Sequence, residues 1–318
     1  MESQDVTSQP AYDPGLTQKY NGRLTRAIDE SGDFNVHRKG VTWRDAHPYL
    51  FLISASWPTF CMLVLAAFAV VNVLFALLYV GIGAEHLKGV EAPTAGLQFL
   101  NIFFFSTHTL TTVGYGNIYP IGPAANTLAA LEALVGVMGF AVVTGLVFGR
   151  FSRPSARIGF SKKMLVAPYR DGLSIQFRVV NRRTNNLLEL SARLLLMTVE
   201  SVGDTLQRKY APLRLEREQV LFFPLTWTVV HPITPDSPLF GKTPDDLARL
   251  EAEVMILIKG FDETFGQTVN TRYSYRHDEI IWGARFTPAF DVDPASGDLR
   301  LEVNKVSSFE RIELPRLD

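Results

Sequence analysis

Apolar residues gather along this chain into two long runs, and past residue 163 into short alternating ones. The stretch from Trp57 to Val80 reads WPTFCMLVLAAFAVVNVLFALLYV, with Thr59 and Asn72 its clearly polar members. No Asp, Glu, Lys or Arg lies between Asp45 and Glu85. A helix needs about 20 apolar residues to cross the hydrocarbon core of a bilayer, and this run suffices. From Ala92 to Gly149 the one formal charge is Glu132, but Gly114, Gly116, Pro120 and Pro123 interrupt the stretch. It divides into Leu97 to Thr111, too short to span, a Gly-rich turn, and a run from about Ala124 to Phe151 that can span with tilt. The predicted order is helix, half-helix, loop, helix.

After Lys163 the period changes to two. Leu173, Ile175, Phe177 and Val179 alternate with Ser174, Gln176 and Arg178, and Leu225, Trp227 and Val229 repeat the pattern. Val254 to Ile258 reads as a short buried strand. Turn signals separate these runs at Arg170-Asp171-Gly172, Asn185-Asn186, Val202-Gly203-Asp204 and Ser296-Gly297-Asp298. Many short strands with frequent turns predict an all-β sandwich. The one helix expected there is Thr243 to Glu253, with Thr243 as its cap and Pro244 in the first turn. Ahead of the first span, Val41 to Leu52 mixes Trp43, Tyr49, Leu50 and Phe51 with Arg44 and Asp45. That pattern suits either a short helix in the headgroup plane, started or kinked by Pro48, or a plain linker. Residues 1 to about 35 are polar and turn-rich, which predicts disorder.

Charge adds orientation. Arg23, Arg26, Arg38, Lys39 and Arg44 precede the first span, and Arg150, Arg153, Arg157, Lys162 and Lys163 follow the second with no acid among them, against Lys88 alone between the spans. The excess of basic residues predicts that both termini are cytoplasmic. The first run starts too far into the chain for a signal peptide and no small-residue cleavage site follows it. With 31 Lys+Arg against 32 Asp+Glu, a nucleic-acid binder is not indicated. The single cysteine, Cys61, excludes an internal disulfide framework and any CxxC motif. The densest titratable cluster, His277-Asp278-Glu279, has no paired nucleophile and reads as a solvated strand end; with no P-loop, GxGxxG or HExxH, no enzyme and no catalytic cofactor are expected.

The loop between half-helix and second span reads Thr111-Thr112-Val113-Gly114-Tyr115-Gly116-Asn117. Irregular backbone at membrane depth must be buried in protein or line a water-filled cavity. The five residues Thr112, Val113, Gly114, Tyr115 and Gly116 are the signature of potassium selectivity filters, in which backbone carbonyls replace the hydration shell of K+. The glycines supply conformations that a Cβ forbids. Such a filter takes four loops and one chain supplies one, so a homotetramer follows, with K+ ions in its pore.

The segment FFFSTHTLTTVGYGNIYP (Phe103 to Pro120) resembles the pore of two-span potassium channels. SWP at 56–58, NVLFALLY at 72–79 and TGLVFGRFSRP at 144–154 narrow the resemblance to the prokaryotic inward-rectifier (KirBac) channels. HPITPDSPLFGKT (His231 to Thr243) and DEIIWGARF (Asp278 to Phe286) resemble strands of the cytoplasmic domain of inward rectifiers. The likeness covers residues 40 to 290. It implies four segments: a disordered cytoplasmic N-terminus (1–40), an interfacial helix (41–55), a two-span potassium pore (56–155) and a cytoplasmic immunoglobulin-like β-sandwich (156–318), in the cytoplasmic membrane of a bacterium.

Further roles follow from the resemblance. Phe140 stands where strong rectifiers carry a polar or acidic cavity residue. Phe148 stands at the helix-bundle constriction, and Gly260, Phe261, Asp262, Glu263, Thr264, Phe265, Gly266 and Gln267 match the cytoplasmic constriction loop. Gly136, Gly139 and Gly145 mark points of close packing or bending on the second span. His108 and Asn117 replace the carboxylates usual behind the filter; His108 reads either as a packed side chain or as a pH-sensitive group bonded to Asn117. Glu132, a lone acid in a span, is expected to support the filter side rather than face lipid. Arg44, Arg150, Arg153, Arg157, Lys162 and Lys163 serve topology and are candidate contacts for anionic lipid. Two alternatives remain: a two-span channel gated by another ligand, and a membrane-anchored β-sandwich binding protein with a vestigial pore.

Overall fold

A computed structural model describes residues 14–16, 19–20, 26–29, 32–37, 39–40, 47–153, 156–202 and 205–315. The chain divides into two compact units, Arg38–Arg153 and Met1–His37 with Pro154–Asp318.

The first unit is helical. Helix α1 (Pro48–Ser54) starts on its proline, which suits the first turn because no N–H is needed there. Residues 41–46 of the expected interfacial segment lie outside the described residues. Helix α2 (Trp57–Ile82) begins at Ser56, whose hydroxyl accepts from Thr59 N, and ends at Gly83. Helix α3 (Ala95–Leu110) is capped by the Thr94 hydroxyl. Its 16 residues extend about 24 Å, short of a hydrocarbon core about 30 Å thick. Helix α4 (Gly122–Phe151) runs 30 residues without a break. Helices α2 and α4 are the two long and apolar enough to cross a membrane.

The second unit is a two-sheet sandwich. Strand β1 (Lys19–Tyr20) lies in the N-terminal segment, and two short strands, β2 (Leu87–Lys88) and β3 (Tyr119–Pro120), belong to the helical unit. The sandwich proper uses β4 (Ile158–Phe160), β5 (Met164–Tyr169), β6 (Gly172–Asn181), β7 (Leu187–Val202), β8 (Thr205–Leu213), β9 (Gln219–Phe222), β10 (Thr226–Ile233), β11 (Glu253–Asp262), β12 (Gln267–Arg276) and β13 (Ile280–Trp282). One sheet runs β1-β8-β7-β11-β12 with β9 on β7; the other runs β10-β6-β5-β13 with β4 on β6. The pairings are antiparallel except β13 with β5. Between the sheets, Ile175, Phe177, Val179 and Val229 meet Leu190, Leu194, Val254, Ile256, Ile258 and Tyr275.

Both faces of β6 carry buried side chains, Ser174 and Arg178 among them. Arg178 donates to Thr287 O at 2.7 Å and lies over the Phe286 ring at 4.6 Å, because the segment after β13 folds back across the sheet. The helix expected over Thr243 to Glu253 ends early as α5 (Pro244–Arg249), after a Thr243/Asp246 capping box, because β11 begins at Glu253 and draws Val254 into the core. The N-terminus expected to be disordered over 1–40 contains ordered pieces. Strand β1 pairs with β8, Ile28 is buried against Met197, Tyr210 and Met255, and Ala27 N donates to the buried Glu253 carboxylate at 3.0 Å. His277-Asp278-Glu279 forms a 3-10 turn rather than a strand end, and Glu279 is taken up by Arg276 N at 2.9 Å and Arg26 at 3.2 Å.

Candidate ion-conduction site

Helix α3 leads into a chain reversal that its own C-terminus organises. The His108 carbonyl accepts from both Val113 N (2.9 Å) and Gly114 N (3.2 Å), and Thr109 O accepts from Thr112 N (3.0 Å). The return chain is tied by β3 to β2 and by Ile121 N donating to His86 O at 2.7 Å. Half-helix and loop thus enter and leave at one end of the helical unit.

The loop backbone alternates in hand. Thr112 has φ 61°, Gly114 56° and Gly116 79°, while Val113 and Tyr115 are not left-handed. Positive φ thus recurs at every second residue of the loop. Two of the three positions are glycine, which meets this demand without steric cost. Thr112 is β-branched, and a positive φ there is a strained conformation of the kind held at functional sites. Residues 111–117 are all exposed within one chain.

Around the loop, His108 packs edge-on against Tyr115, with ring centroids 4.8 Å apart. No hydrogen bond joins His108 to Asn117 among the described residues. Glu132 is fully buried and accepts from Tyr79 Oη at 2.8 Å and from the Ser106 hydroxyl. Tyr79 and Ser106 were not among the expected site residues. The available signal was a few polar groups, Asn72, Tyr79 and Ser106, placed within apolar helices beside one buried acid.

Along α4, Phe140 and Phe148 are 76% and 72% exposed, without cover from their own chain. Gly139 and Gly145 have open space where a Cβ would stand, whereas at Gly136 a Cβ would lie 1.9 Å from Leu110 O. Of these three glycines, Gly136 is the one packed tightly by its own chain. The loop of residues 260–267 is the β11–β12 hairpin. Its buried Asp262 accepts from Thr264 N (3.0 Å), Phe265 N (3.3 Å) and Asn185 Nδ2 (2.7 Å), and Glu263 accepts from Asn186 Nδ2 (3.1 Å). Gly260, Phe261 and Gln267 belong to its strands, and Gly266 turns it at φ 60°.

Of the basic residues, Arg150 turns inward. Its guanidinium donates to Leu52 O and to Ala55 O (2.7 Å) and stacks over Trp57 and Phe60, each at 4.6 Å. Those contacts close the α1–α2 junction onto α4. Arg153 reaches Ser54 Oγ at 3.0 Å but stays exposed, as do Arg157 and Lys162; Lys163 is half-buried with Nζ 3.4 Å from Asp278 O. Arg44 lies outside the described residues.

Comparison with known proteins agrees with the division of the chain into two units. Residues 59–153 match the family model described as ion channel, and residues 158–318 match that of the inward rectifier potassium channel C-terminal domain. The chain is 37% identical over 287 residues to the inward rectifier potassium channel Kirbac3.1 of Paramagnetospirillum magnetotacticum, covering 89% of this chain and 95% of that protein. It is 29% identical to the human G protein-activated inward rectifier potassium channel 3 (96% of this chain, 82% of the relative). To the chicken ATP-sensitive inward rectifier potassium channel 12 it is 28% identical (86% and 71%). The chain belongs to the inward rectifier potassium channel family.

Proposed function

We propose that four copies of this chain form a potassium-selective pore in a bacterial cytoplasmic membrane, with both termini cytoplasmic. Dehydrated K+ is coordinated by the carbonyls of Thr112, Val113, Gly114 and Tyr115 and by the Thr112 hydroxyl, and ions move by knock-on between adjacent sites. What supports this reading is the recurrence of positive φ at Thr112, Gly114 and Gly116 in a loop of filter sequence that its own chain leaves uncovered. Phe148 forms the inner-helix constriction, where four apolar side chains close the pore by dewetting. The hairpin tip at residues 260–267 forms a second constriction. Arg44, Arg153, Arg157, Lys162 and Lys163 attract anionic lipid at about 1 kcal/mol per residue. Phe140 brings no charge to the cavity, so block by polycations is weak.

Cation flux into liposomes holding the purified protein tests the reading. Barium-sensitive rubidium uptake that excludes sodium is the expected result. If the wild type stays silent, Phe148→Ala separates a closed pore, which this substitution opens, from a vestigial one, which stays silent and sinks the proposal.

A further inference from the structure

Behind the filter loop, polar groups from all three long helices of the helical unit meet in a place sealed from solvent. Asn72, Tyr79, Ser106 and Glu132 are each 0–1% exposed. Tyr79 on α2 donates its phenol proton to Glu132 Oε2 at 2.8 Å, and Ser106 on α3 donates to Oε1. Ser106 Oγ also lies 3.2 Å from Asn72 Oδ1, while Asn72 Nδ2 donates to Phe68 O at 2.7 Å, which sets the amide with its oxygen towards the serine. Among the described residues no Lys or Arg takes part. Each acceptor oxygen of the lone acid of α4 thus has one hydroxyl donor, one from α2 and one from α3. An intramembrane carboxylate with specific partners is by default a functional element rather than filler.

One turn further along both helices there is a second contact. At Gly136 the backbone of α4 comes so close to α3 that a Cβ would stand 1.9 Å from Leu110 O. Ser106 and Leu110 are four residues apart on α3, and Glu132 and Gly136 are four apart on α4. The two helices therefore meet along one face at consecutive turns, first through a carboxylate and a hydroxyl, then backbone to backbone. The stretch held this way ends where the filter begins. His108, between Ser106 and Leu110, supplies the carbonyl that holds Val113 N and Gly114 N.

From this geometry we infer that Glu132, with Ser106 and Tyr79, is a positioning element for ion selectivity. It sets the axial seat of α3 and, through the His108 carbonyl, the spacing of the filter backbone. Glu132 touches no ion. Its carboxylate and the Gly136 contact seat α3 at two points, so it can neither slide along nor roll against α4. The inference rests on the conduction reading above and adds what holds the filter at its selective dimensions.

The test uses full-length tetramers in liposomes and reads the rubidium-to-sodium uptake ratio together with tetramer stability. Ser106→Ala and Tyr79→Phe each delete one hydroxyl and leave the fold able to assemble. Each is expected to keep barium-sensitive rubidium uptake but to lower the ratio about tenfold, the size of losing one hydrogen bond to a charged group. Glu132→Ala removes both acceptors and is expected to lower the ratio further. Ser106→Thr, which keeps the hydroxyl, restores it. Wild-type ratios in Ser106→Ala and Tyr79→Phe would overturn the inference whether or not Glu132→Ala assembles. A general loss of stability with the ratio intact would also overturn it, since a merely structural contact behaves that way. Absence of selective flux from both the wild type and Phe148→Ala would count against the conduction reading instead.

Discussion

The two units bury polar side chains in opposite styles. In the helical unit the buried polar side chains Asn72, Ser106 and Glu132 share one cluster with the phenol of Tyr79. In the β unit they are spread over several joints, and most of them bond backbone groups of other segments. Arg178 holds Thr287 O, Glu253 holds Ala27 N, Ser274 holds Ile28 O, His231 holds Arg214 O, and Asp262 holds the hairpin tip. The difference follows from the surroundings. Helices that cross lipid satisfy their own backbones, so a polar side chain there finds partners only among other side chains or at a break in a helix. A sandwich has many loops and chain ends whose backbone groups need partners, and single side chains can serve each one. One style concentrates its polar contacts in a single cluster; the other distributes them over many joints.

The sharpest way to break the helical style is Gly136→Val. A side chain there would run into the Leu110 carbonyl, and the cost is expected to exceed about 3 kcal/mol, the upper range for overpacking. The outcome to look for is failure to recover tetramers in detergent; normal tetramers would show that α3 can shift freely. The β style should fail piecemeal. Asp262→Ala leaves Thr264 N, Phe265 N and Asn185 without their acceptor, and is expected to lower stability by about 2 kcal/mol or more while leaving the filter selective. A changed rubidium-to-sodium ratio in that variant would erase the contrast between the units.

His231 offers a pH handle on the β unit alone. The Arg214 carbonyl, 2.5 Å from Nδ1, can only accept, so Nδ1 carries the proton and Nε2 accepts from the Ser237 hydroxyl at 2.8 Å. Burial pushes the imidazole below its ordinary value of 6.5, and the bond to Arg214 O opposes that in part. As pH falls through 6.5 the unfolded chain takes up a proton that the folded site resists. Stability is therefore full above that pH and declines below it until the lower folded value is reached, by at most about 1.4 kcal/mol per pH unit. Thermal unfolding of the wild type and of His231→Gln at pH 7.5 and 5.5 checks this: the wild type should lose more than the variant. The smallest effect is expected at the α5 capping box, where Thr243→Ala should cost about 1 kcal/mol, seen as a modest drop in melting temperature with flux unchanged.

Much of this architecture was legible in the residues. Runs nearly free of charge marked α2 and α4 to within about two residues, because length and hydropathy are properties of a segment by itself. The break at Gly114 and Gly116 marked the loop for the same reason, since glycine permits a backbone that other residues resist. The packed face of β6 was hidden because alternation reports where apolar side chains go, whereas Arg178 is covered by a segment more than a hundred residues away. The early end of α5 was hidden because helical pattern continued past the point where β11 drew the chain into the sandwich.

The site divides along the same line. Sequence alone determined that one loop carries a filter signature, that one acid stands alone in a span, and that basic residues flank the two spans. Tertiary structure decided what those residues meet. It joined Glu132 to Tyr79 and Ser106, which stand 53 and 26 positions away along the chain. It turned Arg150 inward onto Leu52 and Ala55, and it singled out Gly136 from Gly139 and Gly145 as the glycine with no room for a side chain. Local conformation and hydrophobicity act over a few residues and can be read from them. Which donor reaches which acceptor depends on how helices with featureless apolar surfaces slide and rotate against one another, and packing settles that only when all of them are in place.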